Sequence, residues 1–307
     1  MIRFLAGKAV QGIATLIIAV SVAFFLARGT GNPVREMLGD LASAEQVAQL
    51  NAQLGLDRPL SVQYLHFLGD LVTGNLGDSL RYGSSNLELI QSRLPASIQL
   101  AAAAMFIAVL FGVPLGIWAA LREGRLADRL ASAVALIGQS IPLFWLGLML
   151  ILLFAVSLGW LPAGQSTGFS SLILPAVTLS TLPMAQIARL TRSSMSEVLG
   201  EAFLSAAQAR GIPWWRIVLI HALQNASLPV ITIIALQAGT LLSGAITVEF
   251  VFAWPGLGTL ATQAVQTRDF SLIQAIVVFG AAVFVVVNLI VDLLYGVLDP
   301  RIRDGVA

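Results

Sequence analysis

Five stretches of this chain contain no Asp, Glu, Lys or Arg: Ala9–Ala27, Leu94–Leu121, Leu130–Ala188, Ile217–Val248 and Phe270–Val291. A helix rises about 1.5 Å per residue and needs about 20 mostly apolar residues to cross a bilayer's hydrocarbon core. Four of the stretches have the length of one span. Leu130–Ala188 is too long for one, and its middle, "GWLPAGQSTGFSS" (Gly159–Ser171), is a Gly-, Ser- and Pro-rich break. Two spans around that turn bring the expected total to six. The runs are continuously apolar rather than alternating, which excludes a β-barrel.

The polar intervals carry their own periodicities. In Arg28–Arg93, Ser43 precedes Gln46 at capping-box spacing, and Val47, Leu50 and Leu54 then recur on one helical face. Val62, Leu65, Leu68 and Val72 mark a second amphipathic helix. The pair is expected as a helical lid packed on the membrane surface, or as a direct substrate contact. After Ser194, the positions Met195, Val198, Leu199, Ala202 and Ala206 follow one helix face, and Gly211 with Pro213 supplies the stop. Ser205, Ala206, Ala207 and Ala209 make the end of that helix narrow. Small side chains allow close backbone approach, as for a helix seated in a partner's groove, although packing against the chain's own spans requires the same profile.

Composition agrees with the membrane reading. The 307 residues are 57% hydrophobic and 11% charged, against about a quarter charged in soluble domains. Cysteine is absent, which excludes disulfides and thiolate metal sites. The first apolar run follows a basic start like that of a signal peptide, but it lacks a small-x-small cleavage pattern and is expected to be retained as the first helix. The net charge of +1 implies no polyanionic partner and no nucleic acid. Its placement says more. Arg3, Lys8, Arg122, Arg125, Arg129, Arg189, Arg192, Arg210, Arg216, Arg301 and Arg303 all fall on one side of the six-span arrangement. Excess Lys and Arg in short loops marks the cytoplasmic side, so both termini and the Ser205–Trp215 loop are expected there.

The blocks "SAAQARG" (Ser205–Gly211), "HALQNASLP" (His221–Pro229), "LGLDRPLSVQY" (Leu54–Tyr64), "LPASIQLA" (Leu94–Ala101), "FAWPGLG" (Phe252–Gly258) and "NLIVDLLYGVLDPRIR" (Asn288–Arg303) follow one another in a familiar order. Together they resemble the permeases of ABC importers, in particular the dipeptide/oligopeptide/nickel branch. The loop resembles that family's Glu-Ala-Ala motif, with Ser205 in place of the acidic residue. "GTGNP" (Gly29–Pro33) and "FLSAAQARG" (Phe203–Gly211) also depart from the usual wording, the latter by losing basic residues.

The resemblance implies an all-α membrane protein with the type I ABC importer permease fold. It implies a first transmembrane helix over 1–28, an extracytoplasmic helical segment over 29–93, and a five-helix core over 94–298 with a coupling loop at 193–216. A cytoplasmic tail would follow over 299–307. Glu201, Ser205, Ala206, Ala207, Arg210 and Gly211 are the expected ATPase-coupling residues, and Trp254, Pro255 and Gly256 form either an outer gate or an interfacial anchor. The implied partners are a second homologous permease, two cytoplasmic ATP-binding subunits, an extracytoplasmic solute-binding protein and membrane lipid. No cofactor is implied.

Independent of that resemblance, the chain cannot build a P-loop. Lys8 is its only lysine, and residue 2 is Ile where the motif requires Gly. ATP hydrolysis is therefore expected in separate chains, and this chain is expected to be a transport subunit without enzymatic activity. His66 and His221, the only histidines, fall on opposite expected sides of the membrane; His221 is expected to cap or pack at the end of its span. Glu249 and Asp292 lie near span ends and are expected to be structural, with a functional role as the alternative for an intramembrane carboxylate. Gly112, Pro114 and Gly116, and likewise Ile141-Pro142, are expected to kink their spans. The favoured cargo is a di- or oligopeptide. A nickel or metal-chelate permease of the same branch, an ion-coupled secondary transporter and a membrane enzyme are the successively weaker alternatives.

Overall fold

A computed structural model describes residues 2–29, 34, 43–53, 55–79, 81–126, 128–129, 133 and 138–298. In chain order its helices are α1 (Ile2–Gly29), α2 (Ala44–Gln53), α3 (Leu60–Val72), α4 (Asn86–Ala120), α5 (Leu143–Leu150), α6 (Phe169–Leu199), α7 (Ala202–Ala209), α8 (Trp214–Arg216), α9 (Leu223–Val251), α10 (Leu257–Gln266) and α11 (Phe270–Leu298). Ile151–Ser157 continues α5 as a π-helical turn, and Ile217–Ala222 joins α8 to α9 in the same way. A two-residue hairpin pairs β1 (Asp78–Ser79) antiparallel with β2 (Ser84–Ser85), setting Asp78 opposite Ser85.

Among the described residues four helical stretches are long and apolar enough to cross a membrane: Asn86–Ala120, Phe169–Leu199, Trp214–Leu241 and Phe270–Val291. Val10–Leu26 and Leu143–Ser157 are shorter apolar helices. Most of the segment 130–137, where the third expected span begins, lies outside the described residues. The expected break at Gly159–Ser171 is present, with α6 starting at Phe169.

The chain divides into two compact units. The larger consists mainly of Ala96–Pro255. Its core joins Leu100 and Ala104 of α4 to Leu172, Leu174, Ala176 and Leu179 of α6 and to Leu241, Ala245 and Val248 of α9. The helix α4 is continuous through Gly112, Pro114 and Gly116. The two glycines admit α6. A Cβ on Gly112 would stand 2.9 Å from the Met184 carbonyl oxygen, and one on Gly116 2.5 Å from that of Ala188. Spaced four apart, they form the small-residue face that lets membrane helices touch backbone to backbone. Ile141-Pro142 behaves differently, since Pro142 is extended (φ −61°, ψ 132°) and α5 starts immediately after it.

The second unit comprises Ile2–Pro95 and Gly256–Leu289. Its capping box is formed as the sequence predicts, with Ser43 N–H donating to Gln46 Oε1 (3.0 Å) and Gln46 N–H to Ser43 Oγ (3.2 Å). Val47 is half-buried, whereas Leu54 and the side chain of Leu50 lie outside the described residues. On α3 the buried face differs from the expected Val62–Val72 stripe. Leu65 is exposed and Val72 is 89% exposed. Tyr64 and Phe67 instead pack on Phe24 of α1, with ring centroids at 5.3 and 5.5 Å. Aromatic rings bury more area than Leu or Val, and this rotation also lets Arg28 Nε donate to Gln63 Oε1 (2.9 Å) and sets Tyr64 OH 2.7 Å from Ser21 Oγ. At the start of α11, Asp269 accepts from Ser79 Oγ and from the Leu272 N–H (3.1 Å), tying the hairpin to that helix's N-cap.

The Gly116 contact sets a direct test. Gly116→Ala is expected to destabilise the purified chain by about 1–3 kcal/mol, the usual range for overpacking. Gly280→Ala, where an added Cβ meets nothing within 4 Å, is expected to be neutral or slightly stabilising. Thermal unfolding in detergent separates the two, and equal shifts would contradict the close approach of α4 and α6.

Candidate functional site

The sequence predicts a single helix across Ser194–Ala209, whereas the structure divides it. Helix α6 ends at Leu199, and the Gly200 and Glu201 N–H groups turn back to the carbonyls of Glu197 (3.2 Å) and Val198 (3.0 Å). Glu201 is exposed, takes extended backbone angles (φ −72°, ψ 140°) and starts α7 without a side-chain cap. The break re-aims the chain so that Leu204, 4% exposed, enters a cluster with Ala120, Met195, Ile217, Val218, Ala222 and Ala226. Ala207 and Ile212 pack against the same cluster.

Helix α7 ends in a closed motif. Gly211 takes φ +79°, its N–H donates to the Gln208 carbonyl (2.9 Å), and the Ile212 N–H donates to that of Ala207 (3.3 Å). This pair of bonds around a left-handed glycine is a Schellman motif, and Ala207 with Ile212 supplies its apolar contact. With Leu204 and Ala207 turned inward, Ala202, Phe203, Ser205, Ala206, Gln208, Ala209 and Arg210 remain exposed. The structure thus separates the predicted residues. Ser205, Ala206 and Arg210 line the open side, Ala207 faces the anchor, and Gly211 closes the helix. Trp214 and Trp215 are exposed on the first turn that follows, with the Arg216 guanidinium 5.4 Å from the Trp215 ring centroid.

Close to this anchor lies an ion pair that sequence reasoning missed. Arg192 of α6 makes a two-pronged contact with Asp128, Nε to Oδ1 and Nη2 to Oδ2 at 2.8 Å. Glu123 stands 4.0 Å from the same guanidinium, and the Gly124 N–H donates to Asp128 Oδ2 (3.0 Å). The Arg192 hydrogen bonds hold the Asp128 carboxyl below its ordinary range, against a smaller opposing effect of burial. In sequence Arg192 contributes only to a count of basic residues, and nothing local points to a partner 64 positions away.

In the Phe252–Gly258 turn, Phe252 and Trp254 are buried within the protein while Ala253 is exposed. Trp254 is 1% exposed, and its indole N–H donates to the Ala96 carbonyl (2.9 Å). The loop before α6 closes over the preceding residues. The Gln165 N–H donates to the Phe252 carbonyl (2.9 Å), and a Cβ on Gly164 would overlap that carbonyl. Pro255 is half-buried, and Gly256 is a buried N-cap to α10. Glu249 is fully buried and accepts from Ser97 Oγ (2.6 Å). The His221 carbonyl accepts from Asn225 Nδ2 (2.7 Å). The side chain of Asp292 lies outside the described residues. No cluster of three potential metal ligands occurs among the described residues.

Several helices long and apolar enough to cross a membrane, in a chain with few charged residues, define a multi-pass membrane protein. The comparisons agree. Residues 112–304 match the model of the binding-protein-dependent transport system inner membrane component, and residues 1–101 match that family's N-terminal component. The chain belongs to this family of inner-membrane permease subunits of ABC transporters. It is 42% identical over 305 residues to the dipeptide transport system permease protein DppB of Escherichia coli K12, covering 89% of this chain and 90% of that protein. It is 42% identical over 288 residues to the glutathione transport system permease protein GsiC of Salmonella typhimurium LT2, covering 94% of each. A chain of the inward-facing MetNI methionine ABC transporter superposes with a TM-score of 0.59 at 19% identity, over 69% of this chain and 96% of its own. A chain of an amino acid ABC transporter superposes at 0.54 and 16% identity, over 68% and 94%. These two share the fold.

Asp128 gives the site its pH signature. Its carboxyl is depressed in the folded state, so the pair contributes stability above the unfolded carboxyl's pKa of about 3.9. That contribution disappears as the pH falls through the lower, folded value. Asp128→Asn is expected to lower stability near neutral pH by about 2 kcal/mol, the scale of hydrogen bonds to charged groups. The gap between variant and wild type is expected to close in strong acid. Unfolding curves at several pH values check this, and a gap independent of pH would contradict it.

Proposed function

We propose that this chain is a permease subunit of an ATP-driven importer that passes di- or oligopeptides inward across the cytoplasmic membrane. It works with a second homologous permease, two cytoplasmic ATP-binding subunits and an extracytoplasmic solute-binding protein. In this reading the chain crosses the membrane six times with both termini inside. Residues 29–93 form an extracytoplasmic helical segment, 94–298 the translocating core and 299–307 a cytoplasmic tail. The basic residues gathered on one side support that orientation. The names of the dipeptide and glutathione permeases that this chain resembles support a peptide cargo over nickel.

The observation that carries the coupling role is the division of α7 into two sides. Leu204 and Ala207 face the chain's own apolar cluster, while Ala202, Ser205, Ala206 and Arg210 are exposed. A helix held on one side, with small residues beside Phe203 and Arg210 exposed on the other, suits a groove on an ATP-binding subunit. ATP-driven closure of two such subunits would move both docked helices and shift the spans between inward- and outward-facing states. Trp254, Pro255 and Gly256 are assigned to the outer gate, where a loaded binding protein would act on the turn that Gln165 holds.

Ala206→Trp, on the open side, is expected to weaken co-purification of the ATP-binding subunits at least tenfold, about 1.4 kcal/mol. The isolated chain should keep its thermal stability. Full retention of the subunits together with normal ATP-dependent uptake would refute the docking assignment.

A further inference from the structure

The larger unit contains a polar site that its transport role leaves unassigned. Gln186 falls near the middle of the 31-residue helix α6, and Gln237 in the middle of the 29-residue α9. Gln186 lies three residues before Arg189, near the end of the charge-free run Leu130–Ala188, and Gln237 lies within the run Ile217–Val248, so both belong to helices apolar enough to cross a bilayer. Gln237 Nε2 donates to Gln186 Oε1. Thr240 Oγ1 lies 2.8 Å from Gln237 Oε1 and 3.0 Å from the Gln237 main-chain oxygen, so its single proton is shared between two acceptors.

These three residues border a cavity of about 190 Å³ whose other walls include Leu143, Leu179 and Pro183. Two of the walls are places where a helix cannot complete its hydrogen bonds. Pro183 has no N–H to offer the carbonyl one turn earlier, and Leu143 begins α5 just after the extended Pro142. Interrupted backbone at membrane depth persists only where it is buried in protein or lines a watered cavity. Thr240 is exposed on the same face, and polar groups within a span do not face lipid without cost.

The chemistry of the cavity is narrow. None of its eight lining residues ionises, so it offers no counter-charge to an ammonium, a carboxylate or a metal ion. The glutamine pair uses one of its four amide N–H groups in the mutual bond and keeps donors beside an acceptor that Thr240 only partly satisfies. Donor and acceptor set side by side match the C=O and N–H of a peptide bond. At about 30 Å³ per water, the volume admits several waters or one peptide group with a small side chain.

We propose that Gln186, Gln237 and Thr240 form a station within the membrane-crossing helices that hydrogen-bonds the backbone amide of a peptide in transit. This rests on the reading of the chain as a peptide permease and adds the residues that handle the cargo within it. The site recognises the one group that every peptide shares, so it accepts different side chains while giving a desolvated amide its partners.

The test uses the complete transporter in proteoliposomes, with a radiolabelled dipeptide that binds its solute-binding protein. Gln186→Leu and Gln237→Leu are expected to lower dipeptide uptake per ATP hydrolysed at least fivefold, with stimulation of ATPase activity by the loaded binding protein unchanged. A second measurement decides the matter if those variants fail to assemble. The chain has no cysteine, so Gln186→Cys places its only thiol at the cavity. A small hydrophilic thiol reagent should modify it, as read by mass spectrometry of this chain, and transported dipeptide should slow modification at least fivefold. Unaltered uptake by the leucine variants, an unreactive thiol, or modification indifferent to peptide would overturn the station. Absence of dipeptide uptake by the wild-type transporter would instead overturn the peptide-permease reading itself.

Discussion

The burial of Leu204 is the contact on which the proposed mechanism depends. Helix α7 has eight residues, too few to be stable alone in water, because the first turn fixes several residues for a single hydrogen bond. Fully burying a leucine side chain is worth about 1.5–3 kcal/mol, enough to make so short a helix persist. The cluster that receives Leu204 draws on Ile117 and Ala120 from the end of α4, Met195 from α6, and Ile217, Val218 and Ala222 from the start of the next span. One leucine therefore ties a surface helix to three membrane helices. Gly211 closes the other end, and the ion pair from Asp128 to Arg192 braces the last turns of α6 just ahead of it.

A second constraint comes from the hydrocarbon itself, where every buried polar group needs a partner within the protein. Glu249 has Ser97, and the Trp254 indole has the Ala96 carbonyl. These bonds link the start of α4 to the end of α9 and the turn after it within the larger unit. The Gln186–Gln237 pair is built differently. It leaves amide donors over and sits beside two interrupted stretches of helix, which is why it reads as a place for a visitor rather than a fastening.

Much of this organisation is legible in the sequence where the cause is local. Charge-free runs mark the long helices because bilayer thickness dictates their length. Ser43 and Gln46 announce their capping box, and Gly211 its helix stop, because each acts within a few residues. Failures occur where distant partners decide. The apolar period runs unbroken from Met195 to Ala206, so nothing nearby reveals that Gly200 ends one helix and lets Leu204 turn back. The spacing of Gly112 and Gly116 does not reveal that α6 fills the space their side chains would need. Trp254 has the composition of an interfacial anchor, and only a carbonyl 158 positions away makes its burial possible. Two glutamines inside charge-free runs are the legible signal for the cavity between α6 and α9, and their pairing across 51 residues is not.

The proposed mechanism is mechanical: force from ATP-binding subunits would reach the spans through the buried side of α7. Uptake of dipeptide per ATP hydrolysed, measured in proteoliposomes carrying Leu204→Ala, tests it most directly, because that change leaves the exposed docking face untouched. The account predicts that the ATP-binding subunits still associate and hydrolyse ATP while uptake per ATP falls severalfold. Uptake per ATP equal to that of the wild type, with the subunits bound, would contradict it.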